Sequence, residues 1–113
     1  MAMETINPAT GKSVKKFETL DVKQLDGVLQ QVADATPAWA DRPISERSEL
    51  MKNLAAELRD NKQHYGGLIT LEMGKPITEA VGEIEKCAWA CEYYADNAAT
   101  FLADETIESD AGK

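Results

Sequence analysis

These 113 residues predict a mainly α-helical chain, an N-terminal β-hairpin followed by four helices. Three observations carry the prediction. The turn formers Asn7-Pro8-Ala9-Thr10-Gly11 separate two short segments near the start. From Val22 to Leu102 the apolar residues recur at three- and four-residue intervals, the period of a helix face. Gly74 and Pro76 then punctuate that pattern where one helix should stop and another begin.

Residues 4–18 read as the hairpin. Thr5 and Ile6 lead into the turn, Val14 and Phe17 resume a short apolar pattern, and Gly11 is the expected positive-φ position. Residues 21–102 form the helical region. Asp21 is placed to N-cap a first helix whose apolar face is Val22, Leu25, Val28, Leu29 and Val32, with Pro37 closing or kinking it near Trp39. A second helix should start around Ser45, with Ile44 as a staple residue before it. Leu50, Met51, Leu54 and Leu58 make its stripe, and Arg47, Glu49, Lys52, Glu57 and Arg59 fall on the solvated side. A third runs from about Asn61 to Met73 with Gly74 as its C′ residue, and Gly66-Gly67 predicts a broken or looser middle, at roughly 1 kcal/mol per glycine relative to alanine. Pro76, as the first helical position, opens the longest helix, whose stripe includes Ile77, Ala80, Ile84, Ala88, Cys91, Ala95 and Leu102. Residues 103–113 are an acidic connector.

Composition predicts a thin core. Sixteen residues are alanine, while Leu, Ile, Val and Phe together supply only 22 of 113, so the helices should depend on a partner surface outside this chain. Charge is uneven. Residues 1–75 carry eleven acids and ten bases, whereas residues 76–113 carry nine acids and only Lys86 and Lys113. That distribution lacks the basic footprint nucleic acid requires. No apolar run approaches the roughly 20 residues of a membrane span, and the start does not resemble a signal peptide. A soluble cytoplasmic protein with reduced thiols is expected, because Cys87 and Cys91, four apart on one helix, are poorly placed for a disulfide.

Ile6-Asn7-Pro8-Ala9-Thr10-Gly11-Lys12, Leu71-Glu72-Met73-Gly74-Lys75-Pro76 and the run Lys86-Cys87-Ala88-Trp89-Ala90-Cys91-Glu92-Tyr93-Tyr94-Ala95 occur in this order across nearly the whole chain. Together they resemble the first part of an aldehyde dehydrogenase, most like the succinate-semialdehyde dehydrogenase branch. The resemblance implies the start of an α/β, Rossmann-type cofactor-binding domain that uses NAD or NADP, in a parent enzyme that oxidises an aldehyde to a carboxylate and assembles as a homo-oligomer. It also implies that the cofactor-binding Asn and Lys, the glutamate base and the cysteine nucleophile in its Gly-Gln-x-Cys setting lie outside Met1–Lys113. The chain alone should then be inactive, its partner being the remainder of the dehydrogenase. Two other readings stay open: a free-standing helical interaction module, and a truncated product without a function of its own.

Thr10-Gly11-Lys12-Ser13 imitates the end of a P-loop, but the earlier glycine that motif needs falls at Ile6, so a turn is the better reading. Metal binding at Cys87 and Cys91 would need two further soft ligands, and His64 is the only histidine. Glu83, Glu85 and Glu92 flank the two thiols and favour their neutral form, so both cysteines read as core packing and His64 as an exposed helix residue. The resemblance assigns one local role, a monovalent cation held by the backbone carbonyl of Ile6 and the carboxylate of Glu72, with a further ligand from beyond Lys113. Hard cations take such oxygens. The alternative is that Glu72 caps the Gly74-Lys75 turn. Trp89, Tyr93 and Tyr94 could line a substrate passage in the parent or serve as interhelical or oligomer packing.

Overall fold

The computed structural model describes residues 3–110, so the last three residues of the predicted connector, 111–113, lie outside the described residues. Strand β1 (Met3–Ile6) pairs antiparallel with β2 (Ser13–Phe17). The register runs Met3 to Phe17, Glu4 to Lys16 and Thr5 to Lys15, then slips so that Ile6 faces Ser13 and Val14 is the extra, bulged residue. Asn7 organises the turn. Its side-chain oxygen accepts from Ala9 N–H at 2.9 Å, its carbonyl accepts from Gly11 N–H at 2.8 Å, and its own N–H donates to the Lys12 carbonyl at 2.9 Å. Gly11 takes φ +67, as the turn chemistry predicts.

Helix α1 (Val22–Ala40) starts on a reciprocal capping box: Gln24 N–H donates to Asp21 Oδ1 at 2.8 Å and Asp21 N–H donates to Gln24 Oε1 at 2.9 Å. Pro37 lies inside the helix, which ends at Ala40, beside Trp39 where its closing or kinking was expected. The ring removes the donor that would reach the Ala33 carbonyl, yet the helix continues for three residues, with the Thr36 hydroxyl donating to the Val32 carbonyl at 2.7 Å just before it and Asp41 N–H donating to the Pro37 carbonyl at 3.0 Å just after.

Helix α2 (Ile44–Asp60) begins one residue earlier than expected. Pro43, extended at ψ 141, is its N-cap and its carbonyl accepts from Glu46 and Arg47, so Ile44 lies inside the first turn and not before it as a staple. Asn61 ends α2 and begins α3 (Lys62–Met73) without a loop. Gly66 and Gly67 do not break α3. Gly66 is buried against the next helix, where a β-carbon would come 2.8 Å from Val81 Cγ2 and 3.0 Å from Val81 N, while Gly67 faces open space. Tertiary approach, which local propensity cannot register, accounts for the first glycine. Gly74 ends α3 in the left-handed region at φ +80, its N–H donating to the Thr70 carbonyl at 2.9 Å. Pro76 is the N-cap of α4 (Ile77–Phe101) and not its first helical residue as expected, and the 25-residue helix spans about 38 Å.

Among the described residues the buried apolar core is Ala55, Ala80, Ile84, Ala88 and Ala95. Four of these five are alanine, so α2 and α3 approach α4 closely but cover little apolar area. No α1 residue is buried. The radius of gyration is 20.5 Å, against about 13 Å for a compact chain of this length, which matches the thin core expected from composition.

Candidate functional site

Two turns meet at one point. The Pro8 ring of the hairpin turn lies against Gly74, so that a β-carbon at position 74 would come 2.9 Å from Pro8 Cγ. Ile6, the last residue of β1, precedes Pro8 by two, and Glu72, in the last turn of α3, precedes Gly74 by two. The fold therefore brings together the two segments that carry the predicted cation donors. Neither residue is buried. Gly74 N–H is engaged by the Thr70 carbonyl, and the Lys75 ammonium is paired with Glu83 across the turn. That pairing raises the Lys75 pKa through its hydrogen bond to Glu83.

On the opposite flank of α4 stands a charged clasp. Arg59 of α2 donates Nη2–H to Glu92 Oε2 at 2.7 Å, donates Nη1–H to Glu92 Oε1, and donates Nε–H to Glu85 Oε1 at 2.5 Å. Lys62 of α3 adds a contact to Glu85 Oε2 at 3.2 Å, and Lys52 reaches Asp96 at 2.9 Å further along. Arg59 thus turns towards α4 and is only partly exposed, which corrects the expectation that it belongs to the solvated face of α2, while Lys52 stays exposed as expected. Helical spacing on one element says nothing about which neighbour offers a carboxylate. Arg59 holds both Glu85 and Glu92 below the ordinary carboxylate value, and they in turn raise its own pKa. The seven-residue spacing of Glu85 and Glu92 on one face of α4 was the signal in the sequence.

The same clasp corrects the surroundings predicted for the thiols. Glu85 and Glu92 are committed to Arg59, and Glu83 to Lys75. Cys87 is exposed and Cys91 partly so, both free, and so Cys87 is not core packing within this chain. The face buried against α2 and α3 is that of Ile84, Ala88 and Ala95, which leaves Cys87 beside it. Among the described residues no group of three or more His, Cys, Asp and Glu side chains is placed to hold a metal. His64 is exposed, its ring 5.4 Å from that of Tyr65. Lys12 sits in the hairpin turn, its N–H donating to Thr10 Oγ1 at 3.3 Å, as the turn reading of that motif requires.

Trp89, Tyr93 and Tyr94 are exposed along α4 and border a cavity of about 310 Å³ with Lys86 and Ala90. Tyr93 packs edge-on to Tyr94, ring centres 5.5 Å apart. A second, mostly apolar groove of about 390 Å³ runs between α2 and the end of α4, lined by Trp39, Leu50, Met51, Leu54, Tyr94 and Leu102. The guanidinium carbons of Arg42 and Arg47 both lie over the Trp39 ring, 5.7 Å from its centre.

The sequence model of the aldehyde dehydrogenase family matches residues 1–113. The chain belongs to that family. Over its whole length it is 35% identical to a probable NADP-dependent succinate-semialdehyde dehydrogenase of Synechocystis, of which it covers 25%. It is 37% identical, again over its whole length, to an NADP-dependent succinate-semialdehyde dehydrogenase of Mycobacterium ulcerans, covering 24% of that protein. Among solved structures, the succinic semialdehyde dehydrogenase of Streptococcus pyogenes in complex with NADP+ superposes on 96% of the chain with a TM-score of 0.88 and 32% identity, the chain covering 24% of it. The NADP-dependent glyceraldehyde-3-phosphate dehydrogenase of Bacillus halodurans matches equally well, with a TM-score of 0.88 and 31% identity over 97% of the chain and 23% of its own length. This aldehyde dehydrogenase segment therefore spans about a quarter of the length of the relatives it matches. Among its described residues no helix is long and apolar enough to cross a membrane.

Proposed function

We propose that this chain is the N-terminal scaffold of an aldehyde dehydrogenase that oxidises an aldehyde, of the succinic semialdehyde class, to a carboxylate with NADP or NAD. The observation that carries this reading is the end-to-end match, at 35% and 37% identity, to NADP-dependent succinate-semialdehyde dehydrogenases. The substrate class rests on those relatives, because a glyceraldehyde-3-phosphate dehydrogenase shares the fold at a similar identity.

In such an enzyme the nicotinamide accepts the hydride, and nucleophile, base and cofactor-binding groups belong to the remainder of the polypeptide. The residues of this chain build instead. Ala55, Ala88 and the Arg59 clasp fix α2 on α4, and Gly66 admits α3 to the same helix. Ile6 and Glu72 would offer a carbonyl and a carboxylate to a monovalent cation, a donor set of hard oxygens with one negative charge. Its support is the meeting of the two turns at Pro8 and Gly74, together with the engagement of the neighbouring polar groups elsewhere. The acidic C-terminal third and reduced cysteines favour a cytoplasmic protein that binds no nucleic acid, and homo-oligomeric assembly belongs to the whole enzyme.

The test is reduction of NADP and NAD by the purified 113-residue chain with succinic semialdehyde, beside a full-length relative. No turnover is expected from the chain, and steady turnover would overturn the scaffold reading. The exposed apolar face of α1 favours a second reading, a helical interaction module. A reading frame continuing past Lys113 into a glutamate base and a Gly-Gln-x-Cys nucleophile decides for the first.

A further inference from the structure

Helix α4 carries five acids and a single base. Four of the acids are committed, Glu83 to Lys75, Glu85 and Glu92 to Arg59, and Asp96 to Lys52. The base, Lys86, is paired with no carboxylate among the described residues. Glu79, the fifth acid, lies two turns back, about 10 Å along the axis. Lys86 also borders both cavities on this flank of the helix. One, of about 690 Å³, has Gly82 and Cys87 in its wall, and the other, of about 310 Å³, has Trp89, Ala90, Tyr93 and Tyr94. Lys75 reaches the larger cavity too, but its ammonium is taken by Glu83.

We propose that Lys86 is the residue of this segment that recognises the carboxylate of a short ω-carboxylated aldehyde, with Trp89 and Tyr93 against its carbon chain. The inference rests on the succinic semialdehyde reading given above and names the side chain that reads the substrate's charge. Sites of this kind combine apolar walls with a few polar groups that fix orientation. The smaller cavity has such walls, and its volume of about 310 Å³ equals that of about ten waters, enough for a four-carbon acid. Lysine suits the task because its apolar stem lies along aromatic surface while the ammonium stays at the end of a flexible chain. An ammonium already held by a protein carboxylate would have to give up that partner before meeting the substrate. Lys86 has none to give up.

The test uses a chimaera carrying residues 1–113 in place of the matching quarter of the full-length Synechocystis relative. It is assayed with succinic semialdehyde and with butanal, in which a methyl group replaces the carboxylate. Lys86→Met should raise KM for succinic semialdehyde about tenfold, the worth of one charge-assisted hydrogen bond. The turnover number and both butanal constants should change little, because a contact made equally in ground and transition states moves KM alone. Lys86→Arg should restore most of the affinity. Equal shifts for the two aldehydes in Lys86→Met, or no shift, overturn the role of Lys86 while leaving the substrate reading standing. A chimaera with Lys86 intact that oxidises butanal as readily as succinic semialdehyde removes the substrate reading and this inference with it. Where the chimaera turns over neither aldehyde, the 113-residue chain decides. The ε-methylene resonances of Lys86 should then shift saturably with succinate and not with succinamide, and the absence of a saturable shift overturns the proposal.

Discussion

Arg59 and Glu92 are 33 residues apart in the chain and face each other through a two-pronged guanidinium–carboxylate contact, with Nη2 to Oε2 at 2.7 Å and the second nitrogen on Oε1. A bidentate pair fixes orientation as well as distance, and this one ties the C-terminal part of α2 to the middle of α4. Glu85, on the guanidinium Nε, adds a second acid one face-repeat away. Because the folded pKa of each carboxylate is depressed from its ordinary 4.5, the stabilisation is fully present above that value and is lost as pH falls through the folded pKa. Melting followed from neutral to strongly acidic pH should therefore be nearly flat until about pH 5 and then fall. Glu92→Gln should flatten the acid limb and lower the plateau. The groups are partly exposed, so added salt should shrink both effects, and an acid limb unchanged in Glu92→Gln would show that the clasp contributes nothing.

Lys52 and Lys75 give the opposite limb. Their partners Asp96 and Glu83 raise them above 10.5, so their contribution is present below that value and disappears as pH climbs through the folded pKa. Lys52→Met should remove part of the alkaline loss, and an alkaline limb unchanged in this variant would show that its pairing with Asp96 contributes nothing.

Gly66 and Gly67 are neighbours in sequence with opposite expectations. Gly66→Ala puts a methyl 2.8 Å from Val81 Cγ2 and 3.0 Å from Val81 N, an overpacking that should cost about 1–3 kcal/mol. Gly67→Ala meets nothing within 4 Å and should stabilise the helix by about 1 kcal/mol. Denaturant unfolding of the two variants reads the contrast directly. Equal effects would mean that α3 does not lie on α4 at Val81.

These same glycines mark where the sequence is readable and where it is not. Asp21 with Gln24, Asn7 with Gly11, and Gly74 at the end of α3 are decided within a few residues, and local stereochemistry places them correctly. Gly66 depends on Val81, fifteen positions later, and helix propensity read alone predicts a break that does not occur. Arg59 fails for a related reason. Its position on the α2 wheel is polar, which fits open solvent as well as a facing row of glutamates. At the candidate site, Ile6 and Glu72 were read from resemblance, while the Pro8 contact that joins their segments is purely tertiary and has no local signature.

Cys87 and Cys91 differ in exposure, the first open and the second partly covered. A thiol reagent such as an aromatic disulfide should react with the native 113-residue chain in two phases, and Cys87→Ser should abolish the faster. Reaction rates follow access when thiolate fractions are similar. Loss of the slower phase in Cys87→Ser would reverse the assignment. Neither substitution should lower turnover of a full-length dehydrogenase carrying this segment, since the family resemblance places the nucleophile elsewhere.

Helix α1 should be the least protected regular element of the isolated chain. An uncovered 19-residue helix is marginal in water, and this one also contains Gly27 and Pro37. Its capping box favours initiation, but none of its residues is buried, and Val22 at 76% and Val32 at 60% exposure leave an apolar face uncovered. Amide exchange should accordingly be fast along α1 and slower where Ala55, Ala80 and Ala88 join α2 and α3 to α4. An uncovered stripe of this kind also promotes self-association. The sedimentation weight of the chain should thus rise with concentration, and Val28→Asp should suppress the rise without changing the unfolding of α2–α4. A strict monomer with α1 as protected as α4 would mean that α1 is covered within the chain, and the need for a partner surface, on which the scaffold reading leans, would go with it.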